Sequence, residues 1–243
     1  MTGHPATEVK KLAEALNTSV HTVVLTGAGI SAESGLATFR DPQDGLWAKY
    51  RPEDLATPEA FTRDPKMVWQ WYEWRRAKLR QAKPNPGHDA LTALQDRVLA
   101  FTLITQNVDG LHQQAGSRDV IEFHGNITRT VCSNAPCTGK WQHGDEREPP
   151  ICPVCNADLR PDVVWFGEGI PEGAMSASLT ALATCDLFIS VGTSSMVYPA
   201  AGMAQQVAAN GAVIAEVNPN ATPLSSHADI VIAQPAGKPC RRL

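Results

Sequence analysis

The sequence predicts an α/β fold: a doubly wound parallel sheet interrupted by two inserts. Three observations predict it. A β-branched run, Thr22-Val23-Val24-Leu25-Thr26, leads directly into Gly27-Ala28-Gly29-Ile30-Ser31-Ala32, a G-x-G-x-x-A placed where a strand gives way to a helix. Strand patterns and helix patterns then alternate through the second half of the chain. Two close cysteine pairs fall in a Pro-rich stretch with little periodicity, the mark of a small inserted module. At 243 residues the chain is long enough for one large domain carrying such an insert.

Taken in order, Thr7–Leu16 places Val9, Leu12, Ala13 and Leu16 on one face and predicts an amphipathic helix leading into the first strand. After the Gly-rich turn, Glu33–Arg51 is broken by Gly35, Pro42 and Gly45, which predicts a long lid-like loop beside the ligand turn. Pro65–Gln81 reads as an aromatic helix ended by Pro84-Asn85-Pro86-Gly87, and His88–Gln95 as a second helix. A strand is expected at Leu99–Gln106. Beyond the cysteines come helix Ala174–Thr184, strand Asp186–Val191, helix Pro199–Asn210, and strands Ala212–Val217 and Asp229–Ala233. The expected division is a Rossmann-like domain over 1–46, 84–125 and 160–243, a helical insert over 47–83, and a zinc-binding module over 126–159.

Net charge is −4, so nothing electrostatic recommends nucleic acid as a partner. No apolar run reaches the length of a membrane span, and the charged start Met1–Ala13 does not read as a signal peptide, so a cytoplasmic location is expected. In a reducing compartment, paired cysteines point to metal more than to disulfides. Cys132-x4-Cys137 and Cys152-x2-Cys155 are two knuckles 14 residues apart, suited to four thiolates at ~2.3 Å around one zinc ion. Four thiolates close the coordination sphere, so the metal would be structural. Two disulfides, or ordinary core thiols, are the alternatives. Cys185 reads as a small apolar filler and Cys240 as a tail thiol.

Open α/β sheets bind ligands at their strand ends. Four such ends here carry small or polar residues. Gly27 suits a tight turn and Gly29 the close approach of a pyrophosphate, with free helix-start amides facing the anion. Asn107 and Asp109 offer the acceptor and donor that a carboxamide needs, although an Asn/Asp turn would look the same. Gly192-Thr193-Ser194 follows another strand, and Asn218 could reach a ribose hydroxyl. The acidic residue that ordinarily follows the glycines by about 20 positions is replaced by the lid. The ribose must therefore be held differently from a hydride-transferring dehydrogenase. His124 ends an apolar segment just before the metal module, as a general base would, or as a structural imidazole would.

These residues together resemble the sirtuins, NAD⁺-dependent protein lysine deacylases. The resemblance is carried by Gly27–Ser31, Thr38-Phe39-Arg40, Thr105-Gln106-Asn107-Val108-Asp109-Gly110-Leu111-His112, His124-Gly125, the four cysteines, Val164-Trp165-Phe166-Gly167-Glu168, Gly192-Thr193-Ser194 and Asn218, in that order, over nearly the whole chain. It implies that NAD⁺ is consumed as co-substrate and that one zinc ion is structural. NAD⁺ would meet Gly27, Ala28, Gly29, Ile30 and Ser31 at the pyrophosphate and Gly192, Thr193, Ser194, Asn218, Pro219 and Asn220 on the adenosine side. Gln106, Asn107 and Asp109 would hold the nicotinamide under a lid of Thr38, Phe39 and Arg40, with Trp47 and Ala236 as further contacts. His124 would draw a proton from the ribose hydroxyls, giving lysine, nicotinamide and O-acyl-ADP-ribose. Acylated lysine peptides would lie extended along Val164, Phe166, Gly167 and Glu168 and along Thr193–Val197.

The resemblance extends to the acyl group. Tyr72 and Arg75 share a helix face, and a Tyr-x-x-Arg pair resembles the signature of sirtuins that remove succinyl and malonyl groups. Arg75 would fork the terminal carboxylate, as Lys cannot. Ala56 would leave room for the longer chain. Without the resemblance, Tyr72 and Arg75 would read as a solvated surface pair. Two rival functions use the same features: transfer of ADP-ribose to protein, and a non-catalytic zinc-ribbon binding protein.

Overall fold

The computed structural model describes residues 5–36, 49–137 and 147–239. Thr38, Phe39, Arg40, Trp47 and Cys240, with most of the expected lid, lie outside the described residues.

Among the described residues, eight strands form two sheets. β1 (Thr22–Thr26), β2 (Phe101–Thr105), β3 (Ile121–Glu122), β6 (Leu187–Val191), β7 (Val213–Val217) and β8 (Ile230–Ile232) make a six-stranded sheet in the order 3-2-1-6-7-8, every pairing parallel. β4 (Gly125–Cys132) and β5 (Leu159–Val163) form a separate antiparallel pair. With that pair set aside the order is that of a doubly wound dinucleotide fold, whose switch point lies between β1 and β6. The strands read as continuous apolar runs because both faces are covered. On one face β1, β6 and β7 contribute Val24, Ile189, Val191 and Ala215, packed against Val9, Leu12 and Leu16 of α1 (Pro5–Thr18). On the other, Val23, Leu25, Phe188 and Ile214 meet Leu182 of α7 (Glu172–Ala183) and Met203 and Val207 of α8 (Met203–Ala209).

Between β1 and β2 the described chain is helical: α2 (Pro52–Leu55), α3 (Pro58–Arg63), α4 (Pro65–Leu79) and α5 (Pro86–Gln95). Pro opens each of them at the first or second helical position. Thr57, Asp64 and Asn85 cap α3, α4 and α5 through side-chain oxygens on backbone amides. α4 joins Leu55, Ala56, Phe61, Ile127, Val163 and Trp165 in a third core beside the sheet. No helix of the described residues is long and apolar enough to cross a membrane.

Three local expectations change. The Gly-rich turn opens a seven-residue 3-10 helix, Ala28–Ser34, not an α-helix, and Gly35 at φ 79° ends it. The expected helix Pro199–Asn210 divides into a 3-10 turn, Ala200–Gly202, and α8. β4 and β5, where no strand is expected from the sequence, flank the Cys132–Cys155 region, and the pairing of β4 shifts register between Asn126 and Thr130, which blurs its own two-residue alternation.

Candidate active site and metal centre

The ends of β1 and β6 cross closely at the switch point. The Gly29 amide donates to the Gly192 carbonyl at 2.8 Å, and a Cβ at Gly29 would lie 2.6 Å from that oxygen. Gly192 has φ +61°, and a Cβ there would lie 2.4 Å from the Ile30 nitrogen. Glycine is thus demanded at both positions by the meeting of two backbones. The amides of Gly27 and Ile30 are also spent, on the carbonyls of Val191 and Gly27. The expected row of free helix-start amides is therefore mostly used within the protein.

Beneath this crossing lies a buried polar network. The Ser31 hydroxyl donates to Asp109 Oδ2 at 2.7 Å and accepts from Asn107 Nδ2 at 3.1 Å. Asn85 N–H donates to His88 Nδ1, which puts the ring proton on Nε2, 3.5 Å from Ser31 Oγ. Asp109 Oδ1 accepts from the Leu111 amide as the chain enters α6 (Leu111–Gln114). Thr26 donates to Thr105 at 2.8 Å and so accepts from His112 Nε2 at 2.9 Å. That leaves His112 Nδ1 buried with no partner among the described residues. Burial, then the neighbouring His88, pulls His112 down to about 3, so it stays neutral.

His124 follows β3. Its Nδ1 lies 3.1 Å from the Gln106 carbonyl, which can only accept, so the proton sits on Nδ1 and Nε2 keeps its lone pair. Burial lowers its basicity below the usual imidazole value, partly offset by that bond. Gln106 Nε2 donates to Thr193 Oγ1 at 2.9 Å, and Asn218 Nδ2 donates to the Thr193 carbonyl at 2.8 Å. The ends of β2, β6 and β7 are thereby tied together. Asn220 N–H donates to Asn218 Oδ1, and Ala236 is buried against Gly87.

On α4, Tyr72 is buried, and its oxygen accepts from Trp165 Nε1 at 2.9 Å. Burial drives the phenol up to about 12, so it keeps its proton. The half-buried Arg75 guanidinium lies 5.0 Å from the Trp71 ring centre and 5.7 Å from that of Tyr72. Burial lowers its pKa, while the neighbouring Tyr72 and Asp109 oppose that shift. Ala56 is buried in the same cluster, and its carbonyl accepts from the Phe166 amide. The amides of Val164 and Trp165 are likewise committed, to the His124 carbonyl and the Glu168 carboxylate. Glu168 also grips Arg160 at 2.5 and 2.8 Å, so its carboxylate braces this loop. An extended peptide laid along the segment would be met mainly by carbonyls.

The four cysteine sulfurs lie within 4.8 Å of one another, with Cys132–Cys155 at 3.5 Å and Cys137–Cys152 at 3.7 Å. A tetrahedron with ~2.3 Å metal–sulfur bonds has edges of about 3.8 Å, so the donors fit zinc. Cys132 ends β4, while Cys152 and Cys155 precede β5, so the antiparallel pair brings the two knuckles together.

The family profile described as "Sir2 family" matches residues 27–199. The chain belongs to the Sir2 family. Among relatives of this Sir2 protein, an NAD-dependent protein deacylase 2 from Pyrobaculum aerophilum is 47% identical over 232 residues, 96% of this chain and 93% of the relative. A crystal structure of a Sir2 homolog–NAD complex matches with TM-score 0.88 at 42% identity, covering 96% of this chain and 93% of that one. A Sir2–p53 peptide–NAD⁺ structure matches with TM-score 0.85 at 33% identity, covering 96% of each.

In this Sir2 chain, sequence reasoning singled out Ser31, Asn107 and Asp109 but missed His88, His112, Thr26 and Thr105 as their support. Asn85-Pro86-Gly87-His88 carried a legible signal, an N-cap whose third residue bonds back to the cap. The hydroxyls of Thr26 and Thr105 look like ordinary β-formers in sequence. Arg76 was also missed. It donates to the carbonyls of Ile127 (2.6 Å) and Arg129 (2.9 Å), which the β4 irregularity takes out of the ladder.

Proposed function

We propose that this Sir2 family member is an NAD⁺-dependent protein lysine deacylase acting on succinyl- and malonyl-lysine, and on acetyl-lysine as well. The relatives' deacylase names and the peptide-bound Sir2 structure support protein or peptide substrates. The observation that carries the reading is the tautomer of His124: with Nδ1–H given to Gln106, the basic Nε2 is left for a substrate proton. Burial keeps this imidazole neutral at pH 7, the state a base requires.

The chain's own residues then divide the work. Gly27–Ser31, Gly192–Ser194, Asn218 and Asn220 would receive NAD⁺, which would supply a ribose carbon open to the acyl-lysine carbonyl oxygen, with nicotinamide as the leaving group. Asn107 and Asp109, preset by Ser31, orient the carboxamide end. Preset groups need not reorganise as charge moves, which is where their catalytic value lies. Val164–Gly167 orients the peptide, and Glu168 acts behind it by holding Trp165 and Arg160. Arg75 and Tyr72 take the acyl carboxylate, with Asp109 near enough to Arg75 to favour its charged form. The cysteine module, loaded with zinc, serves as scaffold, since four thiolates leave no coordination site open.

The test compares kcat/KM on succinyl- and acetyl-lysine peptides for the native protein, Arg75→Met and His124→Ala. Arg75→Met is expected to cost succinyl turnover about 10–100-fold and acetyl turnover little, because only the former uses the guanidinium. Equal losses would remove Arg75 from acyl recognition. His124→Ala should lose both activities by at least about 100-fold. Retained activity would end the base assignment.

A further inference from the structure

The Trp165 indole is buried between α4 and the loop after β5, and it gives its N–H to the Tyr72 phenol oxygen at 2.9 Å. An indole nitrogen can only donate. The phenol therefore accepts on that side. A phenolic O–H prefers the plane of its ring, which offers two orientations, and the incoming N–H closes one of them. The hydrogen is left to point the other way.

The indole itself is clamped. The Arg160 guanidinium lies 3.4 Å from its ring centre, the Phe61 ring centre is 5.2 Å away, and the Trp165 amide is held by Glu168. Arg160 is fixed in turn by Glu168 and the Val163 carbonyl. The donor that sets the phenol is thus as rigid as the loop around it.

We propose that Trp165 is a specificity-determining positioning residue, whose buried N–H commits Tyr72 to donate toward the carboxylate of an acid-tipped acyl group. The inference rests on the reading of Tyr72 and Arg75 as the acyl-carboxylate site. A hydroxyl already accepting a hydrogen bond is also a stronger donor, so the indole both aims and strengthens the contact. Acetyl-lysine presents no carboxylate and gains nothing from it.

A double-mutant cycle over Trp165→Phe and Tyr72→Phe tests this. The readout is the ratio of succinyl to acetyl kcat/KM, measured on one preparation so that the folded fraction cancels. Trp165→Phe should lower that ratio about tenfold, chiefly through KM for the succinyl peptide. In the Tyr72→Phe background the same change should leave the ratio unaltered. If Trp165→Phe does not fold, benzothienylalanine at position 165 keeps the shape and removes only the N–H. An unchanged ratio, or an equal drop in both backgrounds, overturns the proposal. If Tyr72→Phe alone leaves the ratio unchanged, the carboxylate reading itself fails. A fall with Tyr72→Phe and none with Trp165→Phe defeats this inference alone.

Discussion

The Ser31 hydroxyl gives its hydrogen to Asp109 at 2.7 Å while Asn107 donates to its oxygen at 3.1 Å. One small side chain on the first glycine-rich turn therefore sets the two residues that follow β2. Its role as acceptor and its role as donor are both filled before any ligand arrives.

Ser31→Ala should accordingly slow NAD⁺ consumption without unfolding the protein. A hydrogen bond to a charged group is worth about 1.5–3 kcal/mol, which corresponds to about 10–100-fold in kcat. Nicotinamide release measured on a saturating peptide checks this. A rate within twofold of the native protein would make the hub ornamental.

Arg76 ties α4 to β4, donating to Ile127 O, Arg129 O and Thr130 Oγ1 and pairing with Glu73 at 2.6 Å. Arg76→Met should destabilise by about 2–3 kcal/mol, because carbonyls that have left the β4–β5 ladder lose their donor. Urea unfolding midpoints at constant slope measure it. Exposed Arg51, paired with Asp54 at 2.8 Å, is the control, and Arg51→Met should cost under about 1 kcal/mol.

His112 links stability to pH. Its folded pKa, about 3, lies below its ordinary 6.5, so the unfolded chain binds the extra proton first. Its neutral state contributes fully above pH 6.5, and the contribution shrinks as pH falls toward 3, at about 1.4 kcal/mol per pH unit. His88, also lowered by burial, adds to the same trend. Thermal midpoints between pH 7.5 and 5 should drop more steeply for the native protein than for His112→Gln. Parallel slopes would show that His112 does not stay neutral in the fold.

Cys152→Ser should lose metal and folded module together, since site formation and folding are linked. Zinc content by mass spectrometry, with near-ultraviolet circular dichroism, reads both. A zinc-free variant with native spectra and activity would contradict a structural centre.

Much of the parallel sheet could be read from the sequence, because strands covered on both faces leave unbroken apolar runs such as Leu187–Val191. The cysteine centre was legible from spacing alone. β3 was not, since two residues carry no period, and β4 was hidden by its register shift at Asn126/Thr130. In the site, Asn107 and Asp109 stood out as polar residues after a strand. Thr105 and His112 stood in the motif that carries the resemblance but had no role assigned, because a buried side chain that only supports another leaves no mark of that role in spacing. Gly29 was found for an incomplete reason: the sequence suggested a phosphate against it, whereas the Gly192 backbone already occupies that closeness.

The central claim is most directly tested by incubating the purified protein with NAD⁺ and a succinyl-lysine peptide and identifying every product by mass spectrometry. The account predicts free lysine peptide, nicotinamide and O-succinyl-ADP-ribose in equal amounts. ADP-ribose attached to protein, or intact NAD⁺ beside untouched peptide, would contradict it.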